Sequence, residues 1–324
     1  MYNLKILVVG GAGYVGGVVT DMLMQRAGFH EFIVFDNLTF DDQYVKPCRF
    51  VRGDVRDTQA LKPYLDYADV VVWLAALVGD GACEARKSEA IDINLNAVKF
   101  LAENFNGRIL FTSTCSVYGA GDQVLSEESA VRPLSTYAQT KFEAEEVLRA
   151  SKSNAVILRF GTLFGLSDEY SRVRFDLVVN TMTRAAHTNG TIQVRGGDQW
   201  RPLLHVRDAG RLAFKMGMEC SPGVYNLHCF NTQVADIAQD IADLFGNVAV
   251  QVDGSEVSDA RNYRVSSGPA HRMGYLPQSS LADGVRGLRS LLCSGRIRDP
   301  FSSRYSNEAY LKERGTPIMN AESE

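Results

Sequence analysis

Tyr137 and Lys141 stand four residues apart in the stretch Ser135 to Ala150, whose pattern predicts a helix, so the two side chains share a face. A tyrosine hydroxyl with a pKa near 10 is a poor base at neutral pH. A neighbouring ammonium favours the phenolate, and such a pair can take a proton from a substrate hydroxyl. Tyr-x-x-x-Lys pairs arise by chance in many helices, so the surroundings decide the meaning. Upstream, Arg108 to Thr112 reads as a strand, ending in the hydroxyl-rich run Thr112, Ser113, Thr114, Cys115, Ser116, Val117, Tyr118, Gly119. Ligands of open α/β sheets bind at strand carboxyl ends, so these hydroxyls face a site. Thr114 is placed to hydrogen-bond the oxygen whose proton Tyr137 removes.

The elements that must position this pair begin at the amino terminus. Leu4 to Val9 is an apolar run of strand length, followed by Gly10, Gly11, Ala12, Gly13, Tyr14, Val15 and Gly16. A helical pattern runs from Val18 to Arg26, and a second apolar run, Phe32 to Phe35, ends on Asp36. Strand, glycine turn, helix, strand and acid, in that order, make a dinucleotide-binding βαβ unit, here spaced G-x-x-G-x-x-G. Gly10 permits the tight strand exit, and Gly13 lets backbone approach a pyrophosphate. The helix N-terminus at Tyr14 and Val15 offers free N–H groups to the phosphates. Asp36 lies where a carboxylate accepts from both hydroxyls of an adenosine ribose and repels a 2′-phosphate; Asn37 follows it instead of an arginine. The cofactor read from this is NAD rather than NADP. Asp54 is placed for the adenine amino group and the Val55 backbone for its ring. Leu74, Ala75 and Ala76 let the pyrophosphate and nicotinamide ribose lie against backbone, and Lys141 also reaches that ribose.

With 324 residues, 45 % apolar and 22 % charged, the chain has the profile of a globular protein with a large core. A net charge of −4 argues against a nucleic-acid-binding surface. The first twenty residues are broken by five glycines and read as strand, turn and helix rather than as a leader. The longest apolar runs are too short to span a membrane, so none is expected. Six scattered cysteines without a CxxC pair fit free thiols in a cytoplasm, and five histidines without ligand spacing give no metal site.

Further strands are expected at Arg49–Arg52, Asp69–Leu74, Ala155–Arg159, Ile192–Val194, Leu203–Val206 and Val224–Leu227. Helices are expected over Ser88–Asn104, Phe175–Ala186, Asp208–Met218, Val234–Phe245 and Ser280–Leu292. Thr39–Pro47 and the polar run containing Pro133 read as loops. Asn94, inside the long helix, reads as a buried structural amide. The fold class is α/β: a Rossmann-type doubly wound parallel sheet with a smaller, interleaved C-terminal substrate domain.

These pieces together resemble an extended short-chain dehydrogenase/reductase of the nucleotide-sugar epimerase/dehydratase family. The resemblance rests on GGAGYVG at 10–16, Asp36-Asn37, Gly53-Asp54-Val55, LAA at 74–76, TSTCSVYG at 112–119, Tyr137-x-x-x-Lys141 and RPLLHVRD at 201–208. It implies bound NAD, a nucleotide-diphosphate sugar as substrate and a homodimer. It maps a catalytic triad to Thr114, Tyr137 and Lys141, and phosphate-contacting arginines to Arg201 and Arg261. Residues 1–165, with 203–228 returning, would bind NAD; 166–202 and 229–314 would bind the nucleotide sugar; 315–324 would be a disordered tail. Cys115-Ser116 stands where the family's 4,6-dehydratases carry Asp-Glu, which argues against that dehydration and puts Ser116 at the substrate. Thr162 stands where the family often has a substrate-contacting asparagine. LAALVG at 74–79 and RFDLVVN at 174–180 resemble a subgroup acting on GDP-heptoses, which places Val78, Arg174, Asp176 and Asn180 near the sugar. The activity expected is that of an NAD-dependent epimerase or 4-dehydrogenase. A keto-sugar reductase and a non-catalytic dinucleotide-binding protein are the alternatives.

Overall fold

A computed structural model of the chain describes residues 4–25, 30–151, 154–253 and 261–315. The expected tail lies, beyond Gly315, outside the described residues. The strands are β1 (Leu4–Val9), β2 (His30–Asp36), β3 (Arg49–Arg52), β4 (Val70–Trp73), β5 (Arg108–Thr114), β6 (Ala120–Leu125), β7 (Asn154–Phe160) and β8 (Thr162–Phe164). They continue with β9 (Thr191–Arg195), β10 (Trp200–His205), β11 (Gly223–Leu227), β12 (Phe230–Gln233), β13 (Ala249–Asp253) and β14 (Asn262–Val265). The helices are α1 (Tyr14–Gln25), α2 (Thr58–Tyr67), α3 (Asp80–Ala85), α4 (Lys87–Ile91), α5 (Ala97–Asn104), α6 (Thr136–Ala150), α7 (Val178–Asn189) and α8 (Val206–Glu219). After them come α9 (Val234–Phe245), α10 (Gly268–Arg272), α11 (Leu281–Cys293) and α12 (Asn307–Arg314).

The main sheet has seven parallel strands in the order β11-β7-β5-β4-β1-β2-β3. Its strands are apolar at consecutive positions because both faces are covered. Ile6, Val8, Val34, Val72, Leu110, Val156 and Leu158 meet α1 and α8 on one face. Leu7, Val9, Ile33, Phe35, Val71, Trp73, Ile109 and Phe111 meet α2, α5 and α6 on the other. The strand order reverses beside β1, so the carboxyl ends of β1, β4 and β5 open a crevice. Phe164, Val179, Ile192, Leu203, Ile237 and Val285 form a second, smaller core among α7, α9 and α11. β11 returns to the large sheet, whereas β10 pairs with β8 and β12 in a separate three-stranded sheet. No helix among the described residues is long and apolar enough to cross a membrane.

Three departures from the sequence expectation bear on the crevice. The helix expected over Ser88–Asn104 is interrupted by a π-helical turn, Asp92–Asn96. That turn aims the buried Asn94 amide at Leu77, whose N–H it accepts at 2.8 Å and whose carbonyl it meets at 3.0 Å. The segment after Gly119 is not all loop: β6 pairs in parallel with β14. Its sequence is too polar to show an apolar alternation, and its partner lies far along the chain. Cys115–Tyr118 forms a 3₁₀ turn capped by the Thr114 hydroxyl, which accepts from Ser116 N–H at 3.1 Å.

Candidate active site

α6 is capped by Ser135, whose hydroxyl oxygen accepts from Ala138 N–H at 3.2 Å, and this cap sets where the next turn points. Ser135 in turn donates to Asp80 at 2.6 Å, and Asp80 pairs with Arg261 at 3.0 Å. Tyr137, half-buried, and Lys141, 2 % exposed, follow on the crevice face. The Lys141 ammonium lies 4.0 Å from the centre of the Phe111 ring.

Electrostatically the pair departs from the expectation drawn from residue types alone. Burial, followed by Cys83 and Asp80, pushes the Tyr137 hydroxyl above its ordinary value, and Arg174 only partly offsets this. Desolvation therefore outweighs the nearby cations in the chain by itself. Burial also pulls Lys141 down from 10.5 to about 7, against the opposing pull of Glu145 and Cys83. An ammonium bound less tightly in the folded chain opposes folding; the penalty is full below pH 7 and vanishes as pH rises to 10.5. Lys141→Met should therefore stabilise the protein at neutral pH, on the order of 2–4 kcal/mol, with the gain shrinking toward pH 10.5. Thermal melts of both proteins across that range check it; a constant gap counts against a titrating buried ammonium.

Thr114 ends β5, the strand whose Ile109 and Phe111 pack against α6. Its hydroxyl lies 3.1 Å from Ser116 Oγ, which lies 3.3 Å from the Tyr263 hydroxyl on β14. Next to Thr114, Ser113 donates to Glu145, and Glu145, itself without exposed surface, accepts from the buried Arg159 through Nε at 3.1 Å and Nη2 at 2.6 Å.

The glycine turn closes onto β4. Gly10, at φ +84°, donates to Phe35 O at 2.8 Å, and a Cβ built there falls 2.4 Å from the Ala75 nitrogen. A Cβ at Gly13 meets only Gly10 O, at 3.3 Å, so that backbone is otherwise open on the crevice side. Leu74 and Ala75 both donate to Val9 O, which holds the small residues through Ala76 beside the turn. Asp36 accepts from Ala12 N–H at 3.0 Å and Leu38 N–H at 2.8 Å; burial raises its pKa and these bonds oppose the rise. Asn37 donates to Asp54 at 3.0 Å, and Arg56 holds the same carboxylate at 2.7 Å and 2.9 Å. Val55 is buried beneath them. Tyr14 donates to Gly165 O, and Val15 packs against the core under the sheet. An open glycine backbone, a helix N-terminus and a carboxylate at the end of β2 fit a dinucleotide with free ribose hydroxyls.

Across the crevice, Arg174 makes a two-point pair with Asp176 at 2.6 Å and 3.0 Å. Asn180 has no exposed surface; its amide accepts from Gly165 N–H and donates to Arg174 O, so it stands behind Arg174. Arg201 donates to Arg261 O at 2.6 Å. Arg174 acts on the Tyr137 hydroxyl, as does Tyr263, on whose own hydroxyl Arg261 and Arg201 act. Thr162 pairs with Leu203 in the small sheet. Val78 is held through its carbonyl by Asn307, at 3.0 Å, from the first turn of α12. Sequence reasoning gave no role to Asp80, Ser135, Tyr263 or Asn307. Ser135 carried a local signal as a helix cap; the others reach the crevice from segments with no motif of their own.

The profile of the NAD dependent epimerase/dehydratase family matches residues 6–227. The UDP-glucose 4-epimerase of Rhizobium meliloti (strain 1021) is 30 % identical over 181 residues, covering 52 % of this chain and 55 % of that protein. The dTDP-L-rhamnose 4-epimerase of Burkholderia thailandensis is 25 % identical over 345 residues, covering 88 % and 94 %. The chain spans about half the length of the first curated relatives it matches. Among solved structures, the UDP-glucose 4-epimerase of Thermus thermophilus in complex with NAD has a TM-score of 0.76 at 21 % identity, covering 89 % and 98 %. That likeness is one of fold, and the profile supplies the rest: spanning the glycine turn, Asp36, Thr114 and the Tyr137–Lys141 pair, it shows that this chain belongs to the NAD dependent epimerase/dehydratase family.

Proposed function

We propose that the protein is an NAD-dependent nucleotide-sugar epimerase or 4-dehydrogenase, with Thr114, Tyr137 and Lys141 as its catalytic set. The observation that supports this reading is that Tyr263, which acts on the Tyr137 hydroxyl as Arg174 does, lies 3.3 Å from Ser116 Oγ, itself 3.1 Å from Thr114 Oγ1. Bound NAD, held by the Gly10–Val15 turn, Asp36, Asn37, Asp54, Val55, Leu74, Ala75, Ala76 and Lys141, supplies the two-electron acceptor. Tyr137 takes the proton from the sugar hydroxyl that is oxidised, and Thr114 holds the same oxygen in line. The Lys141 ammonium holds a ribose hydroxyl and favours the phenolate. Arg201 and Arg261 present donor forks to the diphosphate. Val78, Ser116, Thr162 and Arg174 border the sugar, and Asn180 sets Arg174. The proposal includes a cytoplasmic homodimer, the form that the resemblance implies.

Incubating the protein and NAD with UDP-, GDP-, CDP- and dTDP-sugars tests this. The expected result is a new sugar product or reduced-nicotinamide absorbance with at least one nucleotide sugar. Consumption of added NADH by a keto sugar, with no forward reaction, supports the reductase instead. No change in any sugar, in either direction, overturns the enzymatic reading.

A further inference from the structure

Tyr263 lies outside every motif that the fold's chemistry uses, yet its hydroxyl ends a buried line of three oxygens: Tyr263 Oη, Ser116 Oγ at 3.3 Å and Thr114 Oγ1 a further 3.1 Å on. The three side chains are 2 %, 6 % and 8 % exposed. We propose that Tyr263 is a positioning residue that, through Ser116, directs the proton of the Thr114 hydroxyl at the substrate oxygen. This rests on the reading of Thr114 given above.

A hydroxyl has one proton to give and two sites to receive. Thr114 Oγ1 already accepts from Ser116 N–H at 3.1 Å. In the chain by itself Thr114 donates to Ser116 Oγ at 3.1 Å, which spends its proton and leaves nothing to offer a substrate oxygen. For Thr114 to donate outward, Ser116 must donate to Thr114, and Ser116 must then accept from a third group. The Tyr263 hydroxyl, 3.3 Å from Ser116 Oγ, can be that donor. As the donor it leaves the Ser116 proton for Thr114 Oγ1, and so frees the Thr114 proton to turn to the substrate oxygen.

Two observations suit Tyr263 to be the permanent donor. Its backbone is pinned: β14 pairs with β6, Asn262 accepts from Trp200 N–H at 2.9 Å, and Val265 N–H donates to Asn231 at 2.9 Å. Burial pushes its hydroxyl up to about 12, with Cys115 adding to the rise and Arg261, Ser116 and Arg201 opposing it, so it keeps its proton at working pH. The bland alternative is that Tyr263 only packs with Val117, Tyr118 and Val265.

Tyr263→Phe separates the two, because it keeps the ring and removes the oxygen. The expected result is a fall in kcat of about tenfold, the worth of one hydrogen bond, with KM, NAD affinity by fluorescence quenching and the melting temperature close to wild type. Ser116→Ala should give the same fall, and the Tyr263→Phe/Ser116→Ala double variant no further loss, because both cut one line. In a Thr114→Val background, Tyr263→Phe should cost nothing more. A kcat within about twofold of wild type, or penalties that multiply across the double variants, overturns the inference. Tyr137→Phe assayed in parallel keeps the readings apart: full activity there removes the catalytic set itself, while loss there beside an unaffected Tyr263→Phe removes only the role of Tyr263.

Discussion

Tyr137→Phe lowers kcat by about 10²–10⁴, the usual worth of a positioned general base, while NAD affinity stays within about threefold. The substitution keeps the ring that packs against the core cluster and removes only the hydroxyl. Because burial raises the hydroxyl's pKa, the phenolate fraction in the wild type grows with pH. Wild-type turnover should therefore climb from neutral to alkaline pH, whereas the residual rate of the variant should be flat in pH. Steady-state rates on the sugar identified in the nucleotide-sugar assay measure both. Wild-type turnover by Tyr137→Phe would falsify the assignment.

Glu145→Ala should destabilise the protein by about 3–5 kcal/mol, the cost of leaving one member of a buried ion pair without its partner. Arg159 sits with its guanidinium on Glu145 and on the Tyr118 hydroxyl, 2.9 Å away, and Tyr118 in turn donates to Asn226 at 2.8 Å. Removing the carboxylate strands the cation in the middle of that line. Glu145→Leu with Arg159→Met, which removes both charges, should recover most of the loss. Denaturant unfolding of the single and double variants measures it, and a single-variant loss under about 1 kcal/mol would contradict the burial of this pair. A second effect follows one helical turn away: Glu145 is the largest influence favouring the Lys141 ammonium, so its loss lets that group deprotonate at still lower pH.

The large sheet was legible because its strands are buried on both faces and announce themselves as unbroken apolar runs, as in Val70–Trp73 and Asn154–Phe160. α9 was legible to its ends because its apolar positions recur at helical spacing. β6 and β14 escaped notice because each is short and polar and gains its partner from across the chain. The π-helical turn at Asp92–Asn96 was hidden because an inserted residue leaves the apolar stripe nearly intact, although Asn94 marked the place. Leu203 at the start of the segment expected to return to the NAD-binding half pairs instead with Thr162 and Phe230 of the small sheet, while β11 rejoins the large one. In the crevice, the Tyr137–Lys141 spacing and the hydroxyl run were visible as local patterns. The raised pKa of Tyr137 was not, because desolvation depends on what the fold packs around a group rather than on its chain neighbours.

Asn307 donates through its amide to Val78 O, accepts from Arg172, and gives its own N–H to Asp176 at 2.8 Å. One side chain near the far end of the chain thus stitches the loop after β4 to the segment that carries Arg174. The family profile stops at residue 227, eighty residues short of this stitch. A fragment trimmed to the profile would keep Arg174 and nearly all of the seven-stranded sheet, yet lose the residue that ties the two segments together.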